Sequence, residues 1–197
     1  MSTWRYLLAP IALVALAVPA AAQFSPAYKF LKAVRDKDGA AAQKALEEGG
    51  STLVNVRDST TGEAAIHIAT RRRDIGWIGF LLQRDANADA RDGDGATALV
   101  LAATTGFSEA IRVLLVVRAQ VDASNRLGET ALMKAVQVRD ALSVRMLLDA
   151  GANPDRTDNT GASPRTVALA DTRGGPVVKL LRDAPARKSA PMQGPTL

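Results

Sequence analysis

Asp92-Gly93-Asp94-Gly95-Ala96-Thr97-Ala98-Leu99-Val100-Leu101-Ala102-Ala103 runs on through Gly106 to Ile111-Arg112-Val113-Leu114-Leu115 and closes with Ala119-Gln120-Val121-Asp122. The opening glycines allow positive φ and signal a turn. Thr97 is placed to cap a helix, because its hydroxyl can accept from a free N–H of the next turn. Leu99, Ala102 and Ala103 mark a short first helix with a small-residue face, and Gly106 can end it in the left-handed conformation. Ile111, Leu114 and Leu115 give a second helix with apolar residues at i, i+3 and i+4.

The same grammar recurs outward in both directions. Gly62, Gly95, Gly128 and Gly161 stand 33 residues apart, as do Ala69, Ala102, Ala135 and Ala168. The pairs Leu81-Leu82, Leu114-Leu115, Leu147-Leu148 and Leu180-Leu181 keep that step. A fixed step in three registers marks one unit copied several times, and such units stack on their neighbours instead of closing around a central core.

These blocks resemble the ankyrin repeat. The turn and cap region reads Gly62-Glu63-Ala64-Ala65-Ile66-His67, Gly95-Ala96-Thr97-Ala98-Leu99-Val100, Gly128-Glu129-Thr130-Ala131-Leu132-Met133 and Gly161-Ala162-Ser163-Pro164-Arg165-Thr166. The tails read Ala86-Asn87-Ala88-Asp89, Ala119-Gln120-Val121-Asp122 and Gly151-Ala152-Asn153-Pro154-Asp155. The resemblance covers residues 27–183. It implies an all-α repeat solenoid of about five units with hairpin-like connections, near 27–58, 59–91, 92–124, 125–157 and 158–183. The family is a scaffold for many partners, so fold alone does not name a function.

Departures from the family pattern predict an array weaker than an idealised one. Only His67 keeps the motif histidine, and only Pro164 the motif proline. Ala64 stands where a threonine cap is usual. Asp85 and Arg118 replace the glycine retained at Gly151. Each such loss removes a cap or an easy left-handed residue, about 0.5–1 kcal/mol apiece. Asp58 to Gly62 is one residue longer than Asp92 to Gly95.

The ends read as caps. Tyr28, Phe30, Leu31 and Val34 form one helix face, and Ala42, Ala45 and Leu46 belong to a second helix begun by Gly39 and stopped by Gly49-Gly50. Lys29, Lys32, Arg35 and Lys37 suit the solvated side of a terminal unit. The last unit has a weak middle, Asp171 to Pro176, before a helix holding Val177, Val178, Leu180 and Leu181. Residues 184–197 are Pro/Ala-rich without periodicity and predict a disordered tail.

At the start, Arg5 precedes an apolar run from Leu7 to Val18, too short to span a bilayer comfortably. Ala20-Ala21-Ala22 offers a signal-peptidase site, giving a leader at 1–22 and a mature start at Gln23. The sequence contains no cysteine, which removes thiol catalysis, disulfides and lipid attachment at a cysteine. It also lacks an N-glycosylation sequon. Together these predict a bacterial, periplasmic protein without stable membrane insertion.

Catalysis has few ingredients here: one histidine, no cysteine and no phosphate-cradling glycine loop. The resemblance gives His67 a structural role, bonded to loop backbone. Asp92-Gly93-Asp94 lacks the further ligands of a calcium loop, with Ala103 where a bidentate Glu would be needed. No cofactor or metal is expected. The net charge is +5, and loss of Arg5 with the leader leaves +4. Export and the scarcity of aromatics argue against nucleic acid. Trp77 falls in the second-helix register and reads as packing.

The resemblance implies a concave face built from hairpin tips and the exposed ends of first helices. Its expected partner-binding residues are Thr60, Thr61, Glu63, Arg71, Arg72, Arg91, Asp94, Thr104, Thr105, Arg126, Leu127, Glu129, Gln137, Val138 and Asn159, with Ala96, Ser124, Thr157 and Thr160 beside them. Arg71 and Arg72 are expected to lie off the packed face. The resulting expectation is a non-catalytic adaptor that binds another exported protein and modulates or protects it, as a monomer or within a hetero-complex. The alternative is a binder of anionic surface, lipid headgroup or wall polymer, through Arg71-Arg72-Arg73.

Overall fold

The structure, a computed structural model, describes residues 25–171 and 175–186. The expected leader and residues 187–197 of the expected tail lie outside the described residues, as do residues 172–174 in the middle of the last unit. Among the described residues ten α-helices run in five pairs: α1 (Pro26–Asp36) and α2 (Gly39–Gly49), α3 (Ala65–Arg71) and α4 (Ile75–Leu82), α5 (Ala98–Thr104) and α6 (Ser108–Val116), α7 (Ala131–Gln137) and α8 (Ala141–Asp149), α9 (Pro164–Ala170) and α10 (Pro176–Asp183). A 3-10 turn, Ser51–Asn55, follows α2.

First helices stack in a row, α1 on α3 on α5 on α7 on α9, and α4, α6, α8 and α10 form a second row. Inner first helices are flanked on both sides, which explains their composition. Every residue from Ala98 to Ala103 is buried. Alanine lets two backbones approach closely, while Leu99 and Leu132 fill the space between rows. Second helices bury a narrower stripe: Ile78 and Leu81, Ile111 and Leu114, Val144 and Leu147. Trp77 is only half-buried, edge-on to Phe80 at 5.1 Å, so it packs at the margin of the core that Ile78 and Leu81 occupy.

Side-chain caps start the first helices where the sequence supplies them. Thr97, Thr130 and Ser163 each accept from the N–H three residues on. Ala64 cannot, and α3 has no side-chain cap. Gly106 ends α5 at φ 59°, and Arg73 and Arg139 take that same left-handed place in the neighbouring units. Asp85 and Arg118 hold positive φ where Gly151 does so more easily.

The last pair departs from the expected register. In α4, α6 and α8 the first leucine of each pair is fully buried, whereas in α10 it is Leu181, the second. The longer segment before Pro176 shifts α10 by one residue, and Val177, Val178 and Leu181 then face inward. Arg165 anchors the end of the chain: it pairs with Asp155 at 2.6 Å and donates to the carbonyls of Leu181, Ala184 and Pro185. Ala184 and Pro185 therefore belong to the closing unit and not to the tail.

Candidate functional site

Each hairpin turn is organised by one side chain at its base. Asp92 Oδ1 accepts from the N–H groups of Asp94 and Ala96, at 3.0 and 2.9 Å. Asn125 Oδ1 serves Leu127 and Glu129 in the same way, and Asp158 Oδ1 serves Thr160 and Ala162. Asp58 takes the equivalent place and accepts from Thr60 and Thr61. The Thr61 N–H lowers its pKa most, ahead of Arg35 at 2.6 Å, and outweighs partial burial to bring it to about 2. The extra residue in this turn is absorbed locally: Gly62 N–H reaches back to Asp58 O, one residue further than Gly95 N–H to Asp92 O.

The tips are stitched to each other. Gly93 N–H donates to Thr61 O, Arg126 N–H to Asp94 O and Asn159 N–H to Leu127 O, at 2.9, 2.9 and 3.0 Å. Asn159 Nδ2 adds a bond to Arg126 O. A second ladder joins the tails, where Asn55, Asp89 and Asp122 accept from the N–H groups of Asn87, Gln120 and Asn153. Both ladders satisfy loop backbone that would otherwise need water. They also turn separate hairpins into one continuous edge.

The expected face residues fall into three groups. Thr60, Thr61, Arg91, Asp94, Thr104, Thr105, Arg126, Leu127, Gln137, Val138 and Asn159 are exposed. Leu127 is 63% and Val138 45% exposed, in the same range as Val116 and Leu142 of the second helices, and a single exposed apolar side chain is ordinary. The hydroxyls of Thr104 and Thr105 are already bonded to carbonyls of their own helix. Glu63 and Glu129 are half-buried and used internally. Burial alone would raise the Glu129 pKa, yet hydrogen bonds from Lys134, Asn125 and Gln137 outweigh it and hold the carboxyl below its usual range. Ala96, expected at the surface, is instead 5% exposed, because the turn folds it under the cap. Ser124 is half-buried; Thr157 and Thr160 are exposed.

Arg71, Arg72 and Arg73 differ from expectation. Arg71 is exposed but engaged: Nε meets Glu63 at 2.6 Å, and Nη2 meets the buried Asp92 of the next unit at 2.8 Å. Arg72 is only partly exposed and donates backward to Val34 O and Arg35 O, both at 2.6 Å. Arg73 donates forward to Thr105 O and lies over the Phe107 ring at 4.8 Å. The cluster ties three successive units together. Arg35 and Lys37, expected on the open side, likewise pair across the first junction with Asp58 and Asp74.

His67 is fully buried. Its Nδ1 accepts from Ala64 N–H and its Nε2–H donates to Ala90 O, at 3.0 and 2.9 Å. Accepting at Nδ1 requires the neutral ring, and burial pushes its pKa below the ordinary value. The histidine supports the Ala64 N–H and clips one hairpin to the next; the bond a threonine hydroxyl at position 64 would accept from the N–H three residues on stays unmade. Asp92 has its oxygens committed to Asp94, Ala96 and Arg71.

A family model described as ankyrin repeats (3 copies) matches residues 30–125 and 66–158. The chain belongs to the ankyrin-repeat family. Ankyrin repeats generally mediate protein–protein interaction and are typically non-catalytic modules. In this ankyrin array no described helix is long and apolar enough to cross a membrane. Sequence reasoning missed Arg57 and Arg156 on the hairpin edge. Arg57 takes the Arg91 register once the extra turn residue is allowed for, so spacing held the signal.

Proposed function

We propose that this ankyrin protein is a non-catalytic, periplasmic binding module that holds an exported protein on its hairpin and first-helix face and modulates or protects it. The observation that carries the reading is the continuous hairpin edge, stitched by its own backbone hydrogen bonds, with Leu127 exposed on it and Val138 exposed at the end of the first helix of the same unit. Such an edge offers apolar anchors at little ordering cost to a partner. Export rests on the leader-like residues 1–22. Ser25, downstream of the expected cut, caps α1 by accepting from Tyr28 N–H at 3.1 Å, so cleavage leaves that cap in place. The anionic-surface alternative loses its main basis, because Arg71, Arg72 and Arg73 have partners within the stack.

The test pairs two measurements. Mass spectrometry of the periplasmic fraction should find a chain beginning at Gln23; an intact Met1 or a cytoplasmic pool overturns the export reading. Leu127→Asp with Val138→Asp should abolish capture of the partner recovered by the wild-type mature protein. Undiminished capture by that variant, with loss on changing Arg112 and Arg145 of the second helices, would place the binding surface elsewhere.

A further inference from the structure

We propose that the hairpin edge around Ser124 receives an acidic, extended segment of the partner, with carboxylates seated between arginines and one apolar side chain on Leu127. This rests on the reading of the tip face above and names the partner's chemistry. Arg91 Nη1 donates to Gly95 O at 3.0 Å and to Ser124 O at 2.5 Å. Arg156, from the following repeat, reaches the Ser124 hydroxyl at 3.5 Å. The stem of Arg126 packs over Gly95, its Cγ 3.2 Å from where a Cβ would stand. Two guanidinium groups from units on either side thus meet at Ser124, the stem of Arg126 lies beside them over Gly95, and among the described residues none of the three forms an ion pair.

The neighbouring carboxylates explain that surplus. Glu63 is taken by Arg71, Glu129 by Lys134, Asp155 by Arg165, and Asp92 and Asp158 by turn N–H groups. These carboxylates are drawn inward, toward first-helix bases and backbone, while the arginines stay at the rim; Asp94 is the exposed carboxylate that remains at the tip beside them. Like charges gathered without a counter-ion repel, and an incoming carboxylate relieves that repulsion while gaining forked, charge-assisted hydrogen bonds. Leu127, next to Arg126 and 63% exposed, adds an apolar contact that a bare anion would not use. An acidic polypeptide satisfies both features.

Fluorescence anisotropy with labelled poly-glutamate peptides, with and without one central leucine, tests the proposal on the mature protein. The leucine-bearing peptide should bind more tightly, and its binding should weaken with added salt. Arg91→Gln with Arg156→Gln should weaken both peptides about ten-fold or more. Leu127→Ser should weaken only the leucine-bearing one. Arg126→Gln, whose side chain makes no hydrogen bond among the described residues, serves if the double variant melts early. Arg112→Gln with Arg145→Gln removes the same charge from the second-helix face and should change nothing. An equal loss from that control means unspecific attraction and overturns the proposal. So does binding of inorganic phosphate or anionic vesicles in place of the peptides. If neither peptide binds while Leu127→Asp with Val138→Asp still blocks partner capture, the acidic assignment fails and the tip-face reading stands.

Discussion

His67 shows how one side chain can carry both structure and a pH response. The folded protein holds it neutral, whereas the unfolded chain binds a proton there near pH 6.5. Stability is therefore full above that value and falls as pH drops below about 6.5, until the lower folded-state value is reached. No other histidine and no cysteine titrates in this interval. Melting curves between about pH 7.5 and 5 should show a declining midpoint for the wild type, and a much flatter dependence for His67→Gln whatever its absolute stability. An unchanged slope in the variant would show that the decline comes from other groups. Arg118 offers a second residue-scale test. It is exposed at φ 60°, so Arg118→Gly should raise stability by about 0.5–1 kcal/mol in urea unfolding, by removing left-handed strain.

At the scale of the helix, burial decides what each position can tolerate. Leu114 and Leu147 fill equivalent slots in α6 and α8 with no exposed surface. Changing either to Ala should cost about 2–5 kcal/mol through lost burial plus the cavity left behind. Leu142, 58% exposed on α8, should tolerate Ala with a change within about 0.5 kcal/mol. Denaturant midpoints for the three variants check the register. Most of this was legible in the sequence. The 33-residue step, the caps at Thr97, Thr130 and Ser163, the left-handed Gly106 and the buried leucines all follow from local rules. The shifted register of α10 was not, because a repeat count cannot see how many residues the preceding segment takes up. Nor was the burial of Ala96, which depends on Asp92 curling the turn.

Across the whole molecule, the arginines that looked free are the ones that join units. A guanidinium reads in sequence as a surface charge; apart from Glu63, eight residues from Arg71, the oxygens these arginines bind in neighbouring units lie 21 to 38 residues away, and no local pattern exposes them. Arg71→Glu with Arg72→Glu should therefore destabilise the array by about 2–4 kcal/mol, after discounting for the half-exposure of Arg71. The change sets one carboxylate against Glu63 and the buried Asp92, and another against two carbonyls. A melting temperature that stays at the wild-type value would show these contacts to be energetically idle. The same long-range logic explains the candidate site. Tip exposure at Leu127 and Val138 was readable from the repeat. The convergence of Arg91 and Arg156 on Ser124 was not, since it joins three repeats.

The turn between Asp58 and Gly62 holds one residue more than its neighbours, yet Thr61 O still meets Gly93 N–H at 2.9 Å. Each hairpin thus resets its own count at the side chain at its base and passes none of its irregularity along the stack. Variation in tip length is uncoupled from variation in the core. An ankyrin chain of this kind can reshape what it recognises by inserting or deleting single residues at a tip, a route closed to folds whose loops share one register.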